Sequence, residues 1–313
     1  MLSYIVRRLG ATIVVMAVVA FFVFSLLYLT PGDPAAVIAG DVASADDIAR
    51  IRQSLGLDQP FLVRFGNWVW ALFHGDFGTS IFSNLPVSKL ISQRVEPTLS
   101  LTICTLIVAI VTSVPLGAIA AARAESKLDH TIMGFSVLGF SLPVFVLAYL
   151  LILLFSLQLQ WLPVQGYRPI SEGIWPWFRH LILPSLALGT VYAALIARIT
   201  RASVLDVLSQ DYIRTAQAKG LKERDIMIHH ALKNAAVPII TIIGIGIGLL
   251  ISGAVVTETV FAIPGIGRLT VDAILRRDYP IIQGVILIFS ATYVIVNLLI
   301  DLSYIFFEPR IRY

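Results

Sequence analysis

Six long apolar stretches, residues 9–29, 97–122, 131–157, 181–198, 237–262 and 281–307, leave this chain few ways to fold. Each is long enough to cross a hydrocarbon layer about 30 Å thick at the rise of an α-helix. Hydrophobic residues make up 58% of the 313 positions and charged residues 13%, against about 25% charged in a soluble domain. Such a chain has too little polar surface to cover itself in water. A bilayer is the solvent it suits, and inside a bilayer a single segment satisfies its backbone only as a helix. The expected fold class is therefore an all-α integral membrane protein with six transmembrane helices, which puts both termini on one side.

The first stretch is longer than the apolar core of a signal peptide, about 7–15 residues, and no small-x-small cleavage site follows it. It reads as a retained first crossing behind Arg7 and Arg8. With the N-terminus inside, 13 of the 23 Lys and Arg fall on the cytoplasmic side. Five of the others lie in the long segment 30–96, where charge has little influence on orientation. Basic loops, not nucleic-acid binding, account for the net charge of +4. Both termini and residues 206–236 are accordingly expected in the cytoplasm.

Residues 30–96 read as a small external cap between the first and second crossings. Prolines at 31 and 34 stop the first helix. Residues 45–56 carry Asp early, Arg later and Gly last, the charge order of a short helix. Trp68, Trp70, Phe73 and Phe77 suit the headgroup zone. The segment lacks the length for a core of its own. The boundaries are then 1–29 for the N-terminal segment and first crossing, 30–96 for the cap, and 97–313 for the remaining transmembrane domain.

Chemistry is sparse. Of His74, His130, His180, His229 and His230, none sits in an H-E-x-x-H arrangement, and G-x-S-x-G does not occur. Cys104 is single and lies in an apolar stretch, which points to a buried small hydrophobe. No metal site and no bound cofactor is expected. A P-loop needs Gly-Lys before Ser or Thr, and the chain has no Gly-Lys dipeptide. If ATP drives this protein, another subunit binds it.

Pro115 and Pro143 should kink the second and third crossings. Gly244, Gly248 and Ser252 recur at four-residue spacing, which bares one helix face for a neighbouring backbone or for a substrate path. Ser141, Pro143, Gly248, Ser252 and Glu258 are the candidates for such a path. Asp301 is a further intramembrane acid, read as a partner for a backbone group or an arginine.

The polar stretch 211–238, DYIRTAQAKGLKERDIMIHHALKNAAVP, stands between two crossings. Residues 211–219 can form a short helix on which Thr215 shares a face with Lys219, and Tyr212 with Ala216. Gly220 breaks it and 222–234 can start again. Thr215, Ala216 and Ala218 are small enough to lie in a partner's groove, with Arg214 and Lys219 at its rim; a solvated loop is the alternative.

These residues resemble the cytoplasmic loop of ABC importer permeases in the dipeptide, oligopeptide and nickel branch. DYIRTAQAKG (211–220) and HALKNAAVP (230–238) carry the likeness. PGDP (31–34), LGLDQP (55–60), GDFG (75–78), FAIPGIGR (261–268), RRDYP (276–280) and PRIR (309–312) follow in the same order. The general Glu-Ala-Ala positions fall on Arg214, Thr215 and Ala216, a departure typical of this branch.

The resemblance implies a type I ABC importer permease fold and a non-enzymatic transport subunit of the bacterial inner membrane. Its coupling loop would comprise Asp211, Tyr212, Arg214, Thr215, Ala216, Ala218, Lys219, Gly220, His230 and Asn234. It further implies a second homologous permease, two ATP-binding subunits carrying ATP and Mg, and a periplasmic or lipoprotein substrate-binding protein. Dipeptides or oligopeptides are the expected cargo, with nickel or glutathione as alternatives. A channel or scaffold subunit is the reading from another class.

Overall fold

The computed structural model describes residues 2–29, 33–40, 43–54 and 56–307. The PGDP and PRIR motifs lie wholly or partly outside them. The described elements are helices, in the order α1 Leu2–Leu29, α2 Pro34–Ala39, α3 Ala45–Ser54, α4 Phe61–Phe73, α5 Val87–Ala122, α6 Lys127–Ser141, α7 Val144–Leu151, α8 Ile174–Leu208, α9 Asp211–Ala218, α10 Glu223–Asp225, α11 Ala236–Val260, α12 Ile266–Arg276 and α13 Tyr279–Phe307. π-helical turns extend α7 over Ile152–Gln158 and α10 over Ile226–Leu232. Four helical segments are long and apolar enough to cross a membrane, in α1, α5, α8 and α13. Two bent pairs bring the number to six if each pair is one crossing.

One compact unit comprises residues 1–95 and 269–294. Its aromatic side chains stack α4 on α1: Phe61 and Phe65 lie 5.5 Å from Phe24 by ring centroid, and Trp68 lies 5.1 Å from it. Arg64 is buried among them, donating to the Tyr28 hydroxyl with its guanidinium over the Phe24 and Tyr28 rings. Leu62, Val63, Trp70 and Phe73 face outward from α4, an apolar set suited to lipid. Ser44 and Asp47 cap α3 reciprocally: the Asp47 amide donates to the Ser44 hydroxyl, and the Ser44 amide and hydroxyl donate to the Asp47 carboxylate. These bonds hold the Asp47 carboxyl below the usual range, with Arg50 adding to the effect.

GDFG and RRDYP, some two hundred residues apart, meet in this unit. The Ser80 hydroxyl donates to the buried Asp278 carboxylate at 2.6 Å, and a Cβ on Gly78 would lie 3.8 Å from Pro280. A Cβ on Gly284 would come within 2.8 Å of Val87, so the start of α13 presses on the start of α5.

The other unit comprises residues 96–268 and 295–313. Its core draws Leu101, Leu181, Leu188, Ile196, Leu250 and Phe261 from α5, α8, α11 and the turn after α11. Helices approach closely at glycine. A Cβ on Gly117 would lie 2.6 Å from the Ala197 carbonyl, and one on Gly244 only 1.9 Å from the Ile300 side chain of α13.

The helices differ from the apolar stretches in three ways. α5 starts at Val87, ten residues before position 97, and carries Pro97 and Pro115 without interruption; a proline removes one amide from the ladder and leaves the rest to continue. The last residues assigned to the cap are thus helical. α8 outruns 181–198 at both ends, because hydropathy marks the apolar layer and a helix continues beyond it through polar residues. The third crossing is broken at Leu142 and Pro143, where α6 and the α7 segment meet at 102°. The kink expected at Pro143 is present, and it separates two helices.

Candidate functional site

α8 closes with the Ser209 hydroxyl bonded to the Asp206 carbonyl at 2.7 Å, and α9 follows after Gln210. Asp211 lies in its first turn, where a carboxylate complements the helix dipole. Only Ile213 and Ala216 of α9 are buried; they pack on Ile226, Val207 and Leu208. Asp211, Tyr212, Arg214, Thr215, Gln217, Ala218 and Lys219 are exposed. Ala216 therefore faces its own chain, not a partner's groove, and Tyr212 does not share its environment. Spacing of three places Ala216 beside Ile213 on the inward stripe.

The end of α9 is a Schellman turn. The Gly220 amide donates to the Gln217 carbonyl at 2.9 Å and the Leu221 amide to the Ala216 carbonyl at 3.3 Å. Gly220 has φ +78, and a Cβ there would meet nothing within 4 Å. Its backbone conformation, not a close approach within this chain, is what calls for glycine.

The two halves of the polar stretch touch. Asn234 donates to the Tyr212 hydroxyl at 3.0 Å and to the His230 carbonyl at 2.7 Å. His230 is half-buried. α9 is thereby held from beneath by an apolar seam and at its side by an amide bridge. Arg214 lies 3.5 Å from Asp211, both well exposed, and such a pair adds little stability. A cavity of about 640 Å³ opens beside this region, lined in part by Arg123, Gln217, Glu223, Arg224 and Met227.

The path candidates are dispersed. Ser141 and Pro143 are exposed at the break after α6, and the Ser141 hydroxyl bonds its own helix at the Val137 carbonyl. Gly248 is partly exposed in α11, and the Ser252 side chain lies outside the described set. Glu258 is fully enclosed. Its carboxylate accepts from the Thr98 hydroxyl at 2.6 Å and the Arg268 amide at 2.9 Å, while the Thr98 oxygen accepts from the Ile266 amide at 2.8 Å. A Cβ on Gly265 would lie 2.1 Å from the same carboxylate. The PGIG turn thus wraps Glu258, which caps the start of α12 from α11. Thr98, its partner, gave no signal in the sequence: one threonine in an apolar run looks like any other.

Near Glu258, side chains of α5 and α8, the segment leading into α8 and the end of α11 share a polar network. Glu96 accepts from the Tyr167 hydroxyl at 3.1 Å and the Ile170 amide at 2.9 Å, and Trp177 donates to Ser100 at 3.0 Å. The Gly166 amide donates to the Phe261 carbonyl at 2.8 Å, and Gln165 to the Val260 carbonyl at 2.9 Å. Burial pushes the Tyr167 phenol above its usual range.

Comparison with known proteins covers the residues of both regions. The profile described as "Binding-protein-dependent transport system inner membrane component" matches residues 113–313, and its N-terminal companion matches 1–102. The chain is 54% identical over 310 residues to a "Probable peptide ABC transporter permease protein" of Sinorhizobium fredii, covering 99% of each. It is 44% identical over 313 residues to the "Glutathione transport system permease protein GsiC" of Salmonella choleraesuis, covering 100% of each. Among solved structures, an inward-facing form of the MetNI methionine ABC transporter superposes with a TM-score of 0.59 at 16% identity, over 70% of this chain and 96% of that one. The helices, the ordered motifs and the full-length matches agree that this chain belongs to the inner membrane components of binding-protein-dependent ABC importers, as a multi-pass permease subunit.

Proposed function

We propose that this chain forms half of the pathway by which peptides enter a bacterial cell across the inner membrane, with both termini in the cytoplasm. α9 is the coupling helix: an ATP-binding subunit receives its exposed face of Tyr212, Arg214, Thr215, Ala218 and Lys219. The observation that carries this reading is the mounting of α9, a polar helix fixed beneath by Ile213 and Ala216 and laterally by Asn234 while its outer face stays open. A helix so fixed can transmit force from a partner. Two ATP-binding subunits, holding ATP and Mg, would close on this chain and on a second, homologous permease. A periplasmic or lipoprotein binding protein would deliver cargo to the side bearing residues 30–96.

The peptide assignment is supported by the cargo named for the relatives, including glutathione, itself a tripeptide. Ser141, Pro143, Gly248 and Ser252 remain the proposed path residues, whereas Glu258 is proposed as an anchor for the turn after α11. The test is ATP hydrolysis by the reconstituted complex. Peptide-loaded binding protein should stimulate it several-fold, and nickel should not. Stimulation by nickel alone would overturn the cargo, and no stimulation by any loaded binding protein would overturn import.

A further inference from the structure

One cluster of charge lies within a single helix turn of the level where α5 and α8 touch. The Asp129 carboxylate, 1% exposed, takes two bonds from the Arg201 guanidinium, Nε to Oδ1 and Nη2 to Oδ2, each 2.6 Å. It takes a third from the Glu125 amide at 2.9 Å. Asp129 lies in the first turn of α6, where its own amide donates to the Ser126 hydroxyl at 3.3 Å. Arg201 lies in the last two turns of α8, ten residues before α9 begins. A planar two-point pair fixes both distance and orientation, which a single-point contact does not.

This pair completes a continuous chain of rigid contacts. Ile213 and Ala216 of α9 pack on Val207 and Leu208 of α8. Arg201, about two turns further up, grips α6 through Asp129. One residue from Arg201, Thr200 lies against Gly117 of α5, where a Cβ would be 2.7 Å away. α6 then runs to the break at Leu142 and Pro143.

We infer that Asp129 and Arg201 are positioning residues for transport: they make α6 move with α8 when the coupling helix is displaced, so that the break at Pro143 changes angle. The inference rests on α9 being the coupling helix. It acts through other groups, with no contact to cargo or nucleotide required.

The experiment uses the full complex with its ATP-binding subunits and binding protein, with Asp129→Asn, Arg201→Lys and the exchanged pair Asp129→Arg with Arg201→Asp. Retention of the ATP-binding subunits reads docking, and peptide moved per ATP hydrolysed reads transmission. Each single variant should retain the subunits and hydrolyse ATP at a rate within about twofold of the parent while moving about tenfold less peptide per ATP, the scale of a typical coupling between sites. The exchanged pair should recover most of that loss, which a role in folding alone would not produce. If Asp129→Asn fails to assemble, Arg201→Lys, which keeps the charge and loses the fork, carries the same reading. Unchanged peptide per ATP in the assembled single variants, or an assembled exchanged pair with no recovery, overturns the inference. If the parent complex does not retain the ATP-binding subunits through α9, the coupling-helix reading itself fails, and that outcome is seen without any of these variants.

Discussion

Glu258 illustrates how a single acid can serve a turn. With the Thr98 hydroxyl and the Arg268 amide both donating to it, Glu258→Ala leaves buried donors unmet, at about 1–3 kcal/mol for each. The expected outcome is a lower melting temperature of the purified chain in detergent, with Glu258→Gln losing less because it keeps an acceptor. Gly265→Ala should be as damaging, since its Cβ must displace the same carboxylate. The two changes should not add, and a double-mutant cycle measures this. Gly220 supports a different test. At φ +78 with open space around it, alanine is strained by about 1–2 kcal/mol, while asparagine visits this region readily. Gly220→Ala should therefore weaken retention of the ATP-binding subunits more than Gly220→Asn does. Sequence alone marked Glu258, but as a candidate for the substrate path, and Gly220 as the break after a short helix. It could not show Thr98, whose role exists only after α5 and α11 meet.

At the level of helices, each of the six apolar stretches falls in a long helix or a bent helix pair, because the transfer cost of charge dominates there. Hydropathy misplaced helix ends, since α5 and α8 continue into polar surroundings where hydropathy falls and hydrogen bonding does not. Proline was only half legible: Pro143 coincides with a break, whereas α5 runs on through Pro115. The four-residue spacing at Gly244, Gly248 and Ser252 marked a bare face without naming its neighbour. In the structure Gly244 meets Ile300 of α13, whereas Gly246 and Gly253 meet Tyr192 and Leu188 of α8. Gly244→Ala must push Ile300 aside, an overpacking penalty of about 1–3 kcal/mol. Thermal stability should fall in that variant and return when Ile300→Ala is added.

For the molecule as a working part, the coupling-helix role proposed for α9 makes its exposed basic rim the surface that an ATP-binding subunit would meet first. Charge reversal at Arg214, whose side chain is 74% exposed, should reduce retention of the ATP-binding subunits, and the difference from the parent should shrink at high salt as screening removes the rim's contribution. The family was readable because ordered motifs span the chain; the mounting of α9 was not, because small residues such as Ala216 look alike whether they face a partner or their own fold. The bridge from Asn234 to Tyr212 also bears on engineering. A permease re-tailored to a foreign ATPase by transplanting residues 211–220 alone would carry a Tyr212 matched to somebody else's amide. The portable cassette is 211–235, and chimaeras cut inside it should lose the register of the very helix they were built to exchange.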